Sequence, residues 1–158
     1  MADPSLEDIS EKMRDIDFAI LSTRTEDGAI AARPMSNNRQ VEFGGDNYFF
    51  TLESTRTVGD IRRDPQVGVS YQAKSGALRM KPFFITLEGR AALIQDKAAF
   101  AEHWTKDLDA WFQQGVDTPG PTLIKVNATR LHYWDGYDEG EIALKTSASA
   151  RTNSETAA

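Results

Sequence analysis

The chain has 158 residues, no cysteine, and 18 Lys and Arg against 24 Asp and Glu, for a formal net charge of −6. That length suits one domain with a substantial core, while the missing cysteines exclude disulfides and cysteine-held zinc or iron–sulfur sites. An acidic chain is a poor nucleic-acid binder, no apolar run reaches the ~20 residues of a membrane span, and Met1-Ala2-Asp3-Pro4-Ser5-Leu6-Glu7-Asp8 carries acids where a signal peptide carries Lys or Arg, so neither nucleic acid nor membrane is an expected partner and the cytoplasm is the expected compartment.

In chain order, Ser5 to Arg14 reads as a short helix, with Pro4 and Ser5 as start signals and Leu6, Ile9 and Met13 at helical spacing. Phe18 to Arg24 reads as a strand, Glu26-Asp27-Gly28 as a hairpin turn, and Ala29 to Met35 as the returning strand. Asn47 to Thr51 is a third strand. Thr57 to Arg63 is a short helix stopped by Pro65. Val67 to Tyr71 alternates with period 2, and Phe83 to Ile94 is a long strand in which Gly89 marks a bulge or bend. Asp96 caps a helix to Trp104, and a second helical stretch covers Asp107 to Phe112 before the Gly115–Pro121 loop. Thr122 to Trp134 closes the sheet.

The tail from Lys145 to Ala158 is rich in Ser, Thr and Ala and is expected to be disordered, leaving residues 1–144 as one domain. Short strands joined by hairpins predict a mainly β fold with α additions, an antiparallel barrel with helices at its edges. The connections are too short for a doubly wound parallel sheet.

No metal site is expected, because His103 and His132 are the only histidines and lie on separate elements. Asp135, Asp138, Glu139 and Glu141 cluster in sequence near His132 and read as an acidic turn. There is no Gly-x-Ser-x-Gly elbow and no Walker loop. Two segments point elsewhere. Arg33 in the apolar strand Ala32-Arg33-Pro34-Met35 either faces solvent, the commoner case, or meets an anion. Phe50-Thr51-Leu52-Glu53-Ser54-Thr55-Arg56-Thr57 runs from a strand into a helix, and its hydroxyls, guanidinium and free N–H groups form an anion cradle, unless Ser54–Thr57 is an ordinary helix cap. Together they fit a phosphate held between a strand arginine and a helix start.

Among the aromatics, Phe49, Phe50, Phe83 and Phe84 are expected in the barrel interior, and Trp104 and Trp111 are expected to dock their segment on the sheet. Trp134 at a strand exit either packs or walls a planar ligand.

At these residues the chain resembles the flavin-binding split-barrel proteins related to pyridoxamine 5′-phosphate oxidase, in the general stress protein 26 branch. The resemblance runs from about Ile9 to Leu144. It rests on Ala32-Arg33-Pro34-Met35, Tyr48-Phe49-Phe50-Thr51, Asp60-Ile61-Arg62-Arg63-Asp64-Pro65-Gln66-Val67, Leu87-Glu88-Gly89-Arg90-Ala91 and Tyr133-Trp134-Asp135-Gly136. It implies a six-stranded antiparallel split β-barrel and a homodimer with FMN or FAD in two interface clefts. By position, Arg33 would lie near the phosphate or ribityl chain, with Pro34 and Met35 flanking the flavin. Phe50 and Thr51 would lie against ring and ribityl chain, Thr55, Arg56 and Thr57 would meet the phosphate, and Trp134 would reach the ring edge in the other subunit's cleft.

Two departures accompany the resemblance. Thr57 stands where many relatives carry a phosphate-binding Lys, so Arg56 would supply the charge. Arg130-Leu131-His132 is followed by Tyr133 and Trp134 and does not form the substrate-binding Arg-Leu-His-Asp-Arg segment of the oxidase proper, whose own activity is therefore disfavoured. The expectation is a stress-related FMN- or FAD-binding protein, acting as a small flavin-dependent oxidoreductase with an unidentified small-molecule electron partner. The alternatives are a non-catalytic module binding flavin or another planar phosphate ligand, and a scaffold whose cofactor site has decayed.

Overall fold

Ser5 starts the first helix through a reciprocal cap. Its Oγ accepts from the Asp8 N–H at 3.2 Å, and the Asp8 carboxylate accepts from the Ser5 N–H at 2.8 Å. The computed structural model describes residues 3–37, 43–73, 81–117 and 119–144. Helix α1 covers Leu6–Arg14, and its Ile9 and Met13, with Ile16 after it, are buried. A hairpin follows, β1 (Phe18–Arg24) and β2 (Ile30–Ser36), turned at Gly28 with φ of 80°. Next come β3 (Asp46–Leu52), α2 (Arg56–Arg63), β4 (Gln66–Gln72), β5 (Phe83–Ile94) and α3 (Lys97–His103). Two 3-10 helices, Lys106–Ala110 and Gly115–Asp117, lead to β6 (Pro121–Asp135) and β7 (Asp138–Ala143). Among the described residues, no helix is long and apolar enough to cross a membrane.

Every strand pair is antiparallel. The order is β2-β1-β4-β5-β6-β3, with β7 pairing β6 beyond β3. The sheet therefore has seven strands rather than the six expected. The extra strand is β7, which pairs the C-terminal part of β6 (Arg130–Asp135) while β3 pairs its N-terminal part (Pro121–Asn127). The path does not close: β2 and β3 are its two ends, so the barrel is split between them.

Inward residues of the sheet, including Leu21, Val69, Tyr71, Ile85, Leu87 and Leu131, form one core with α1 and with Ile61 of α2. A second core lies on the other face of β3 and β6, where Phe50 and Leu123 pack with Phe100, Leu108 and Phe112. Consecutive strand residues face opposite sides, so Phe49 enters the barrel and Phe50 leaves it. The expectation that Phe50 and Phe84 both fill the interior is corrected accordingly. Phe50 belongs to the second core, and Phe84 is half-buried on the outer sheet face. Gly89 does mark a bulge: the β5–β6 register shifts between Glu88 and Gly89, and a Cβ there would lie 2.5 Å from the Asn127 carbonyl oxygen. The tail expected to be disordered, 145–158, lies outside the described residues.

Candidate functional site

The split between β2 and β3 opens into a cleft of about 390 Å³. One wall is the end of β2, with Pro34, Met35 and Ser36; a second is Phe50, Thr51, Leu52 and Thr55 on β3 and the turn after it. Leu108, Trp111 and Phe112 form the third, and Phe18 stands at the edge. None of these residues is ionisable. The cleft is apolar, with Ser36 on the first wall and the Thr51 and Thr55 hydroxyls on the second.

Those hydroxyls sit at the start of α2. Thr55 Oγ1 donates to the Leu52 carbonyl at 2.8 Å and lies 3.5 Å from Thr51 Oγ1. Thr55 is the N-cap residue, but its side chain accepts no hydrogen bond from the helix, and the first turn contains no acid. The leading N–H groups of α2 thus keep their donor capacity and the positive end of the helix dipole is not offset. Arg56, the first helical residue, is exposed and makes no ion pair among the described residues. Ser54 is exposed in the turn, and Thr57 is buried beneath the helix.

Arg33 has an anion of its own. Leu21 pairs with Arg33 across β1 and β2, which turns the guanidinium toward α2. There Nη1 donates to Thr23 Oγ1 at 2.6 Å, and Nη2 lies 3.5 Å from the buried Asp60 carboxylate. Thr23 Oγ1 in turn donates to Asp60 at 2.9 Å, and Arg63 approaches the other Asp60 oxygen at 3.5 Å. Burial pushes the Arg33 pKa down; Asp60 opposes that, and the positive charge of Arg56 acts with burial. One carboxylate thus faces Arg33 and Arg63, with Arg56 within electrostatic reach.

The structure therefore brings Pro34, Met35, Phe50, Thr51 and Thr55 into one cleft and sets Ser54 and Arg56 in the turn and helix start beside Thr55. Arg33 backs this end of the molecule through Asp60. Trp134 stands apart, in a second depression of about 690 Å³ on the outer sheet face with Phe18, Ile20, Ser70, Phe84 and Thr86. There the His132 ring stacks on Trp134, with centroids 3.9 Å apart and planes at 15°, and His132 Nε2 lies 3.3 Å from Glu139. Among the described residues no group of three or more His, Asp or Glu is arranged to hold a metal ion.

Sequence reasoning missed Asp60, Trp111 and Phe112. Asp60 had a signal, because it falls on the same helical face as Thr57, Val58 and Ile61 and so had to be buried. Trp104 docks as expected: it packs edge-on against Phe50 at 5.0 Å, and its Nε1 donates to Asp109 at 2.9 Å. Trp111 does not. Leu108 and Phe112 occupy the core-facing positions of that turn, which leaves the Trp111 indole 66% exposed at the cleft.

An open antiparallel split barrel, with an apolar cleft beside a helix start that bears Arg56, defines a class of small, mainly β proteins. The chain belongs to the pyridoxamine 5′-phosphate oxidase-like family, whose sequence pattern matches residues 4–156. It is 24% identical over 141 residues to protein bli-3 of Neurospora crassa, a match that takes in 83% of this chain and spans 65% of the length of that protein. Its fold is similar to that of a Clostridium acetobutylicum protein related to general stress protein 26 of the pyridoxinephosphate oxidase family, with a TM-score of 0.73 and 17% identity over 87% of this chain and 93% of that one. It is also similar to a haem-binding protein from Mycobacterium smegmatis, with a TM-score of 0.68 and 19% identity over 90% of this chain and 60% of the other.

Proposed function

We propose that this protein binds FMN or FAD in the cleft between β2, β3 and the 106–112 segment, as a stress-related, small flavin-dependent oxidoreductase. The observation that carries the reading is the pairing of an uncharged, ring-sized cleft with an uncapped helix start bearing Arg56, which has no ion pair among the described residues. A flavin has the same two halves, a planar ring and a phosphate. Pro34 and Met35 would flank the ring, with Phe50 beneath. Thr51 and Thr55 would meet the ribityl hydroxyls, and Ser54, Arg56 and the α2 N–H groups the phosphate. Thr57 would support that turn from below, and Arg33 would contribute charge from behind it.

The flavin supplies the electron chemistry when bound. The chain's own residues bind, orient and exclude water, since no acid or base lines the cleft among the described residues. That same observation favours the second reading, a module that binds or senses flavin without turnover; oxidation of a nicotinamide donor by the loaded protein separates the two. Haem, the ligand of the Mycobacterium smegmatis neighbour, fits less well. Of the usual axial ligands the described cleft lining offers only Met35.

The reading extends to a homodimer. Phe18 and Ile20 are exposed on the outer face of β1 beside Phe84 and Trp134, an apolar surface that a second copy would cover. Trp134 would then approach the partner's cleft.

The test is Arg56→Ala. It is expected to weaken FMN about tenfold while riboflavin, which lacks the phosphate, changes by less than about twofold. Equal losses would remove Arg56 from the phosphate, and unchanged affinity for both would leave the helix start without the proposed role.

A further inference from the structure

We infer that Trp111 is the stacking wall of the cleft, closing on the planar aromatic ring of the ligand. The inference rests on the flavin reading and adds to it a ring contact on the 106–112 segment.

Three observations carry it. First, the backbone holding Trp111 is fixed. The Trp111 and Phe112 N–H groups both donate to the Leu108 carbonyl at 2.9 Å, and Leu108 and Phe112 are anchored in the second core with Phe50 and Phe100. The indole thus projects from a pinned turn and loses little freedom when a ligand arrives. Second, the ring is unspent. It is 66% exposed, and its Nε1 makes no hydrogen bond among the described residues, whereas Trp104 nearby gives its Nε1 to Asp109 and its ring to Phe50 and Phe112. An exposed indole at the mouth of an apolar cleft gains by covering its face. Third, the other walls offer no comparable surface. Pro34 and Met35 are not aromatic, Thr51 and Thr55 offer hydroxyls, and Phe50, the floor beneath the ring, and Phe112 expose only 8% of their surface. Phe18, the other exposed ring, is shared with the outer sheet depression.

Among the described residues this lining holds no ionisable group, which suits a neutral, flat heterocycle at Trp111, with its charge lying toward Arg56. Ring and phosphate are then read by different residues. The consequence is a separable pattern of losses.

The experiment measures FMN and riboflavin affinity, and the emission of the bound flavin, for wild type, Trp111→Ala and Trp111→Phe. Trp111→Ala is expected to weaken both ligands alike, by about tenfold. The emission of bound flavin is expected to rise severalfold, because a stacked indole quenches it. Trp111→Phe should restore affinity to within about twofold while leaving the emission high. Because the side chain is exposed, the fold should survive, and an unchanged circular dichroism spectrum checks this. Wild-type affinity and emission in Trp111→Ala would overturn the inference and leave the flavin reading standing. A loss confined to FMN would also overturn it, by placing Trp111 at the phosphate. If wild type itself binds neither flavin, the flavin reading fails and the inference falls with it.

Discussion

An arginine on the inward face of a strand must find a counter-charge, because an unpaired buried guanidinium loses hydration without compensation. Arg33 finds Asp60, and Thr23 completes the triangle by accepting from one and donating to the other. That Arg33 either faces solvent or meets an anion was legible in Ala32-Arg33-Pro34-Met35. Which anion was not, because Asp60 lies on another element and only tertiary packing turns it inward. Asp60→Ala would strand Arg33 in a largely enclosed site. The expected cost is about 3 kcal/mol of unfolding free energy in a urea titration, with Asp60→Asn costing less because an amide still accepts from Thr23. Wild-type stability in Asp60→Ala would contradict the pairing. The cleft residues divide in the same way. Thr55 carried a local signal and Pro34, Met35, Phe50 and Thr51 were placed by the family resemblance, while Trp111 was misassigned because a short 3-10 turn has no clear helical period to sort its inner face from its outer one.

At the scale of elements, strands with apolar alternation were legible almost to their ends. Phe83–Ile94 is one strand, as its length and composition require, and Gly89 interrupts its register where a side chain would strike the Asn127 carbonyl. Gly89→Ala must move backbone, and it is expected to cost about 2 kcal/mol, checked by chemical unfolding; an unchanged midpoint would mean that the bulge has slack. The strand β7 was hidden. In Asp138-Glu139-Gly140-Glu141-Ile142-Ala143 four residues are acidic or glycine, and its pairing is imposed by β6 across the turn at Gly136 and Tyr137. Helix α2 was legible as a helix, but whether the hydroxyls of Ser54–Thr57 cap it was not; the missing side-chain cap is the feature the proposed site uses.

For the whole molecule, local hairpins account for β1–β2, β4–β5 and β6–β7, but they do not say that β3 lies beside β6. That placement follows from two cores. Phe49 must enter one and Phe50 the other, and the β6 edge satisfies both at once. It also leaves β2 and β3 as the two ends of the path, with the cleft between them, so the same topology that splits the barrel makes the candidate site. Trp134 lies on the outer face of the sheet, away from that cleft, which is why a second copy enters the proposal. Size-exclusion chromatography with light scattering and visible absorbance, run on the protein saturated with FMN, tests both parts together. The account predicts one bound flavin per chain in a particle of two 17.6 kDa chains. Elution free of flavin, with haem retained in its place or with nothing bound, would contradict it.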